Sequence, residues 1–90
     1  MKEKILRNKG DNKKDKVEPG SLILLNDNIN TFDHVIRSLV EICGHDLVQA
    51  EQCAMIVHFK GSCEIKMGAR EVLTVMSKSL NAKGLLSKVS

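Results

Sequence analysis

Ninety residues with 42% apolar content and a net charge of +3 make one small domain, whose core supplies a modest margin of stability. No stretch approaches the ~20 apolar residues of a membrane span and no signal-like apolar region is visible, so a cytoplasmic protein is expected. Cys43, Cys53 and Cys63 are an odd number without a C-x-x-C pair, which counts against a disulfide framework, and two aromatics, Phe32 and Phe59, leave little for nucleic-acid bases to stack on.

Residues 1–18 carry seven Lys and Arg against four acids, whereas residues 19–90 carry seven of each. The basic balance therefore belongs to the leading segment. Residues 1–19 are rich in Lys and Asn, hold only Ile5, Leu6 and Val17 as large aliphatics besides Met1, and end at Pro19-Gly20. This composition predicts a disordered arm, with the folded domain over residues 20–90. A solubilising leader and a nucleic-acid-gripping arm are both readings of it, the second weakened by the interspersed acids.

Ser21 to Leu25 reads as a buried strand that stops at a polar cluster, Asn26-Asp27-Asn28. Asn30 suits a helix N-cap, with Asp33 as the partner of a capping box and a favourable charge at the positive end of the helix. Phe32, Val35, Ile36, Leu39, Val40 and Cys43 follow at helical spacing, and Gly44 stops the pattern. Asp46 and Gln49 open a second helix in the same manner. Its apolar positions are Leu47, Ala50, Cys53, Ala54 and Val57, widened by Met55 and Ile56, and Gly61 ends it. Cys63, Ile65 and Met67 alternate with Ser62, Glu64 and Lys66, the period of a strand with one wet face. A third helix starts near Gly68 to Glu71 and carries Val72, Leu73, Met76 and Leu80. Gly84 breaks it, and Leu85 to Val89 form a short last strand. The expected fold is α+β: a compact βααβαβ domain with a three-stranded antiparallel sheet packed against three helices.

Asn26, Asp27 and Asn28 lie on a short connection between rigid elements, where fixed polar groups beside apolar ones can make a binding site. An ordinary Asn- and Asp-rich turn fits the same residues. His58 joins them as a candidate, the plainer reading being a histidine that caps helix carbonyls near Gly61. No nucleophile or carboxylate pair has a convincing context, and there is no Gly-rich phosphate loop. A zinc site would have to use Cys53, His58 and Cys63 with His34 or His45, and these spacings fit no closed Cys/His pattern. No metal or cofactor is expected.

Leu24-Leu25-Asn26-Asp27-Asn28, then Asn30-Thr31-Phe32-Asp33-His34-Val35, and then Val57-His58-Phe59-Lys60-Gly61 after a helix opened by Asp46, resemble the ClpS adaptor family over residues 21–90. The resemblance implies the βααβαβ fold and a non-enzymatic adaptor of the N-end rule. Such a protein binds proteins bearing bulky apolar N-terminal residues (N-degrons) and delivers them to a Clp AAA+ unfoldase and its peptidase. The partners implied are N-degron proteins and the N-terminal domain of a ClpA- or ClpC-like unfoldase, with no nucleic acid and no membrane, and the adaptor is expected to be a monomer.

By the same resemblance, Asn26, Asp27 and His58 hold the free α-amino group. An ammonium with three donors suits a carboxylate and neutral acceptors fixed around it. The first side chain enters a pocket made by Asn28, Asn30, Thr31, Phe32, Val35, Ala54, Val57 and Leu85. Glu71 docks on the unfoldase, and the arm serves as the extension presented to its pore. Three positions depart from the family pattern: Asn28 stands where many members carry a second Asp, Ala54 where many carry a Met, and Met76 where some carry a Lys. The alternative is a nucleic-acid- or ribosome-associated α+β module using its basic arm.

Overall fold

The computed structural model describes residues 17–90, in the order β1 (Pro19–Leu25), α1 (Phe32–Cys43), α2 (Leu47–Lys60), β2 (Ser62–Ala69), α3 (Arg70–Ala82) and β3 (Leu86–Val89). The expected arm falls largely on residues 1–16, outside the described residues. The sheet is antiparallel with strand order β2-β1-β3. β1 is thus the central strand and presents Leu22 and Leu24 to the helices, which supply Leu39, Ala50, Val57, Leu73 and Leu80 to the same core. Each fully buried Leu contributes about 1.5–3 kcal/mol relative to exposure.

β1 begins at Pro19 rather than at Ser21. Proline is accepted there because it is the first residue of the strand, where no ladder donor is lost. The preceding Glu18 carbonyl accepts from the Arg70 amide at 2.8 Å, which joins the strand's entry to the start of α3. At the other end Leu85 precedes β3 instead of opening it.

The cap of α1 is Thr31, not Asn30: the Thr31 hydroxyl accepts from the His34 amide at 3.1 Å. Asn30 is taken by other partners, described below, and Asp33 remains as an acidic residue in the first turn. Gly44 closes the helix in a left-handed conformation, φ 73°. Asp46 caps α2 as expected, accepting from the Gln49 amide at 2.7 Å.

Only one stripe of α2 is covered. Ala50, Cys53, Ala54 and Val57 are buried, at the i, i+3, i+4, i+7 spacing of a single face, while Leu47, Met55 and Ile56 are exposed. The same geometry exposes Val72 in α3, where Leu73, Ser77 and Leu80 point inward. Ser77 is buried because its hydroxyl meets that of Ser87 at 2.7 Å.

Met67 does not join the core; it is 71% exposed. Leu22 pairs with Lys66 but the next residue, Ile23, pairs with Glu64, so Ile65 is an extra residue in β2. Such a bulge shifts the alternation by one place and sends the residues beyond it to the opposite face. The Ile65 carbonyl accepts from Nε2 of buried His45 at 2.8 Å.

Candidate functional site

The end of β1 and the end of α2 are joined before any side chain is considered. The Asn26 amide donates to the Gly61 carbonyl at 2.9 Å, and Gly61 itself ends α2 with φ 92°. The 26–31 connection therefore leaves the sheet beside the last turn of α2, the turn that carries Val57 and His58. Between them lies an open pocket with a cavity volume of about 60 Å³.

Its apolar walls are Val35 and Phe32 from α1, Ala54 and Val57 from α2, and Leu85 from the segment before β3. Ala54 and His58 are four residues apart in α2, so their side chains lie one turn apart on one face. The polar rim consists of Asn26, Asp27, Asn30 and His58. Of the twelve residues singled out from the sequence, nine line this cavity; Asn28, Thr31 and Glu71 do not. Asn28 is exposed, Thr31 is engaged as the α1 cap, and Glu71 is exposed in the first turn of α3. Two lining residues, Leu24 and Leu25, lie outside the expected set. Their apolar run signals a buried strand, and only their adjacency to Asn26 hinted that its last two residues also face a cavity.

Asp27 is held by its own turn. Oδ1 accepts from the amides of Ile29 and Asn30, both at 2.8 Å, and Oδ2 accepts from Asn30 Nδ2 at 2.8 Å. Burial pushes its pKa up, but the Asn30 and Ile29 hydrogen bonds and the nearby His34 outweigh that and hold it below the usual 3.8. It is an anion at neutral pH. A carboxylate has about four acceptor sites, so at least one remains for a ligand.

His58 is exposed and neighbours two aromatic rings. Its ring lies 5.2 Å from that of Phe32 and 4.9 Å from that of Phe59, the latter edge-on at 80°. Both aromatics of the chain therefore border one histidine. Among the described residues no hydrogen bond occupies the His58 ring, so it does not cap the α2 carbonyls, and Gly61's carbonyl goes to Asn26 instead.

The three histidines serve separate places: His34 Nε2 donates to the Lys83 carbonyl at 2.7 Å, His45 Nε2 to that of Ile65, and His58 faces the pocket. Burial, with the Cys63 and Cys43 thiols beside it, pushes the Cys53 thiol up to about 12, so it stays protonated at neutral pH and is a poor ligand or nucleophile. Among the described residues no group of three or more His, Cys, Asp or Glu could hold a metal ion, and no helix is long and apolar enough to cross a membrane.

A carboxylate, an amide and an imidazole at the mouth of an apolar cavity can receive a small cationic head joined to an apolar group. The family model of the ATP-dependent Clp protease adaptor protein ClpS matches residues 15–87. The chain belongs to the ClpS family. Its fold is similar to that of Agrobacterium tumefaciens ClpS2 bound to L-phenylalaninamide, with a TM-score of 0.78 and 16% sequence identity over 83% of this chain and 98% of that one. No curated protein matches the chain. At that identity the likeness to ClpS2 concerns the fold, and membership in this family of Clp protease adaptors rests on the match over residues 15–87.

Proposed function

We propose that this ClpS-family protein binds proteins through a bulky apolar N-terminal residue and hands them to a Clp AAA+ unfoldase for degradation, without itself catalysing a reaction. The observation that carries the reading is the junction of two unlike surfaces. The Asp27 carboxylate, Asn26 and His58 border a cavity walled by Val35, Ala54, Val57 and Leu85. A free α-amine beside a large side chain has the matching pair of features. L-phenylalaninamide, bound by the structurally similar ClpS2, has the same pair: an α-amine next to a benzyl group.

In this reading Asn26, Asp27 and His58 hold the ammonium, and the first side chain enters the cavity that Phe32, Val35, Ala54, Val57 and Leu85 line. Asn28 and Thr31 act from outside the wall, Asn28 as an exposed polar neighbour and Thr31 through the α1 cap. Glu71 docks on the N-terminal domain of a ClpA- or ClpC-like unfoldase, residues 1–19 serve delivery, and the adaptor acts as a cytoplasmic monomer. Delivery is tested by following a folded reporter that begins with Leu in the presence of a Clp unfoldase and its peptidase. The protein should accelerate loss of the Leu reporter and leave the N-acetylated form untouched; equal rates with and without it would contradict the adaptor role.

A further inference from the structure

Asn30 stands between the two halves of the pocket. Its Nδ2 donates to Asp27 Oδ2 at 2.8 Å and to the Gly84 carbonyl at 2.9 Å. Both partners are acceptors, so both amide hydrogens are committed, and an inverted amide would set its oxygen against two others. The neighbouring carbonyl, that of Lys83, receives His34 Nε2 at 2.7 Å. Two successive carbonyls of the turn between α3 and β3 are thus held by the 26–34 segment. Gly84 has φ 89°, and Leu85, directly after it, is a wall of the cavity.

We propose that Asn30 is a positioning residue: it aims the Asp27 carboxylate and fixes the Gly84–Leu85 wall with one amide group, so that the amine seat and the side-chain cavity form as a unit. The proposal rests on the reading of the rim as an amine seat. The chemistry selects asparagine at this place. A serine or threonine hydroxyl has one hydrogen to donate and can serve one acceptor only, whereas an aspartate has none and would set a second negative charge beside Asp27. Removing the amide releases one carboxylate oxygen and the cavity wall together. Affinity should therefore fall for every first side chain, because the amine seat they share is disturbed along with the wall.

The test uses the full chain as parent, Asn30→Ala and Asn30→Asp, the second keeping the size of the side chain while removing both donors. NMR follows the Asp27 carboxyl through a pH titration and the Leu85 methyls, both without peptide, with the amide spectrum confirming the fold. Peptides beginning with Leu, Phe or Trp are then titrated in free and N-acetylated forms. The Asp27 titration should move upward and the Leu85 methyl signals should shift in both variants. All three free peptides should share a loss of affinity of about tenfold. An unmoved Asp27 titration with unmoved Leu85 methyls would overturn the proposal, whatever the peptides do. Affinity reduced for one side chain alone would also overturn it, leaving Asn30 as mere wall. A parent that binds free and acetylated peptides equally would remove the amine reading instead, and the peptide-free spectra would still decide whether Asn30 ties the carboxylate to the wall.

Discussion

The Asn26 amide and the Gly61 carbonyl meet at 2.9 Å, and this bond carries the β1–β2 pairing one step past Leu25 and Ser62 to the end of α2. Both sides of the rim lie close to it, because Asp27 follows the donor and His58 lies three residues before the acceptor. Gly61 holds its carbonyl there in a left-handed conformation, φ 92°, and a Cβ added to it would meet nothing within 4 Å. The cost of Gly61→Ala is therefore backbone strain alone, about 1–2 kcal/mol. Chemical denaturation should show that loss, and peptide affinity should fall with it as the α2 terminus relaxes.

Asp27 links the site to acid stability. Its carboxyl titrates below 3.8 when folded, so its charged form favours the folded state. That contribution is complete above the unfolded value and is lost as pH falls through the lower folded value. Denaturation midpoints measured from about pH 6 down to about pH 2 should therefore drop more steeply for the parent than for Asp27→Asn below its unfolded value. At neutral pH, Asp27→Ala should weaken binding of a Leu-starting peptide on the order of 1.5–3 kcal/mol, the scale of a hydrogen bond to a charged group.

The sequence made the strand–turn–helix entry and the Asn26, Asp27 and His58 set visible because each has a local signature: an apolar run, a polar cluster, a histidine beside a helix stop. What it hid depends on contacts far along the chain. Asn30 looks like a helix cap until Gly84, fifty-four residues away, claims its amide and leaves Thr31 to cap α1. Met67 carries the right period for the core, but the extra residue at Ile65 reverses its face. Leu47, Met55 and Ile56 widen an apparent stripe on α2 that the small sheet covers only in part.

The Ile65 bulge gives a stability prediction of its own. His45 is buried, donates through Nε2 to the Ile65 carbonyl at 2.8 Å, and leaves Nδ1 without a partner. His45→Leu should strand that carbonyl and cost about 1–3 kcal/mol, read from denaturant midpoints at constant slope. Peptide preference should be unchanged, since His45 lines no part of the pocket.

Ala54 is 3% exposed and borders the cavity one turn from His58. Replacing it with Met should narrow the space next to the ligand's backbone and penalise β-branched first residues most, by roughly 1–3 kcal/mol. Affinities of parent and variant for peptides beginning with Leu, Ile, Phe or Trp check this. An unchanged order of preference would mean that Ala54 does not gate the pocket.

In the proposed mode of binding, the rim of Asn26, Asp27 and His58 holds a free α-amine while the cavity holds the side chain next to it. The most direct measurement of this mode is the affinity of one Leu-starting peptide with a free amino terminus against the same peptide N-acetylated. Acetylation removes the charge and two of the three donors and leaves the side chain intact. The free peptide should bind on the order of a hundredfold more tightly, the scale on which removing a charge-assisted hydrogen bond weakens a complex. Equal affinities for the two forms would mean that the rim does not hold the α-amine.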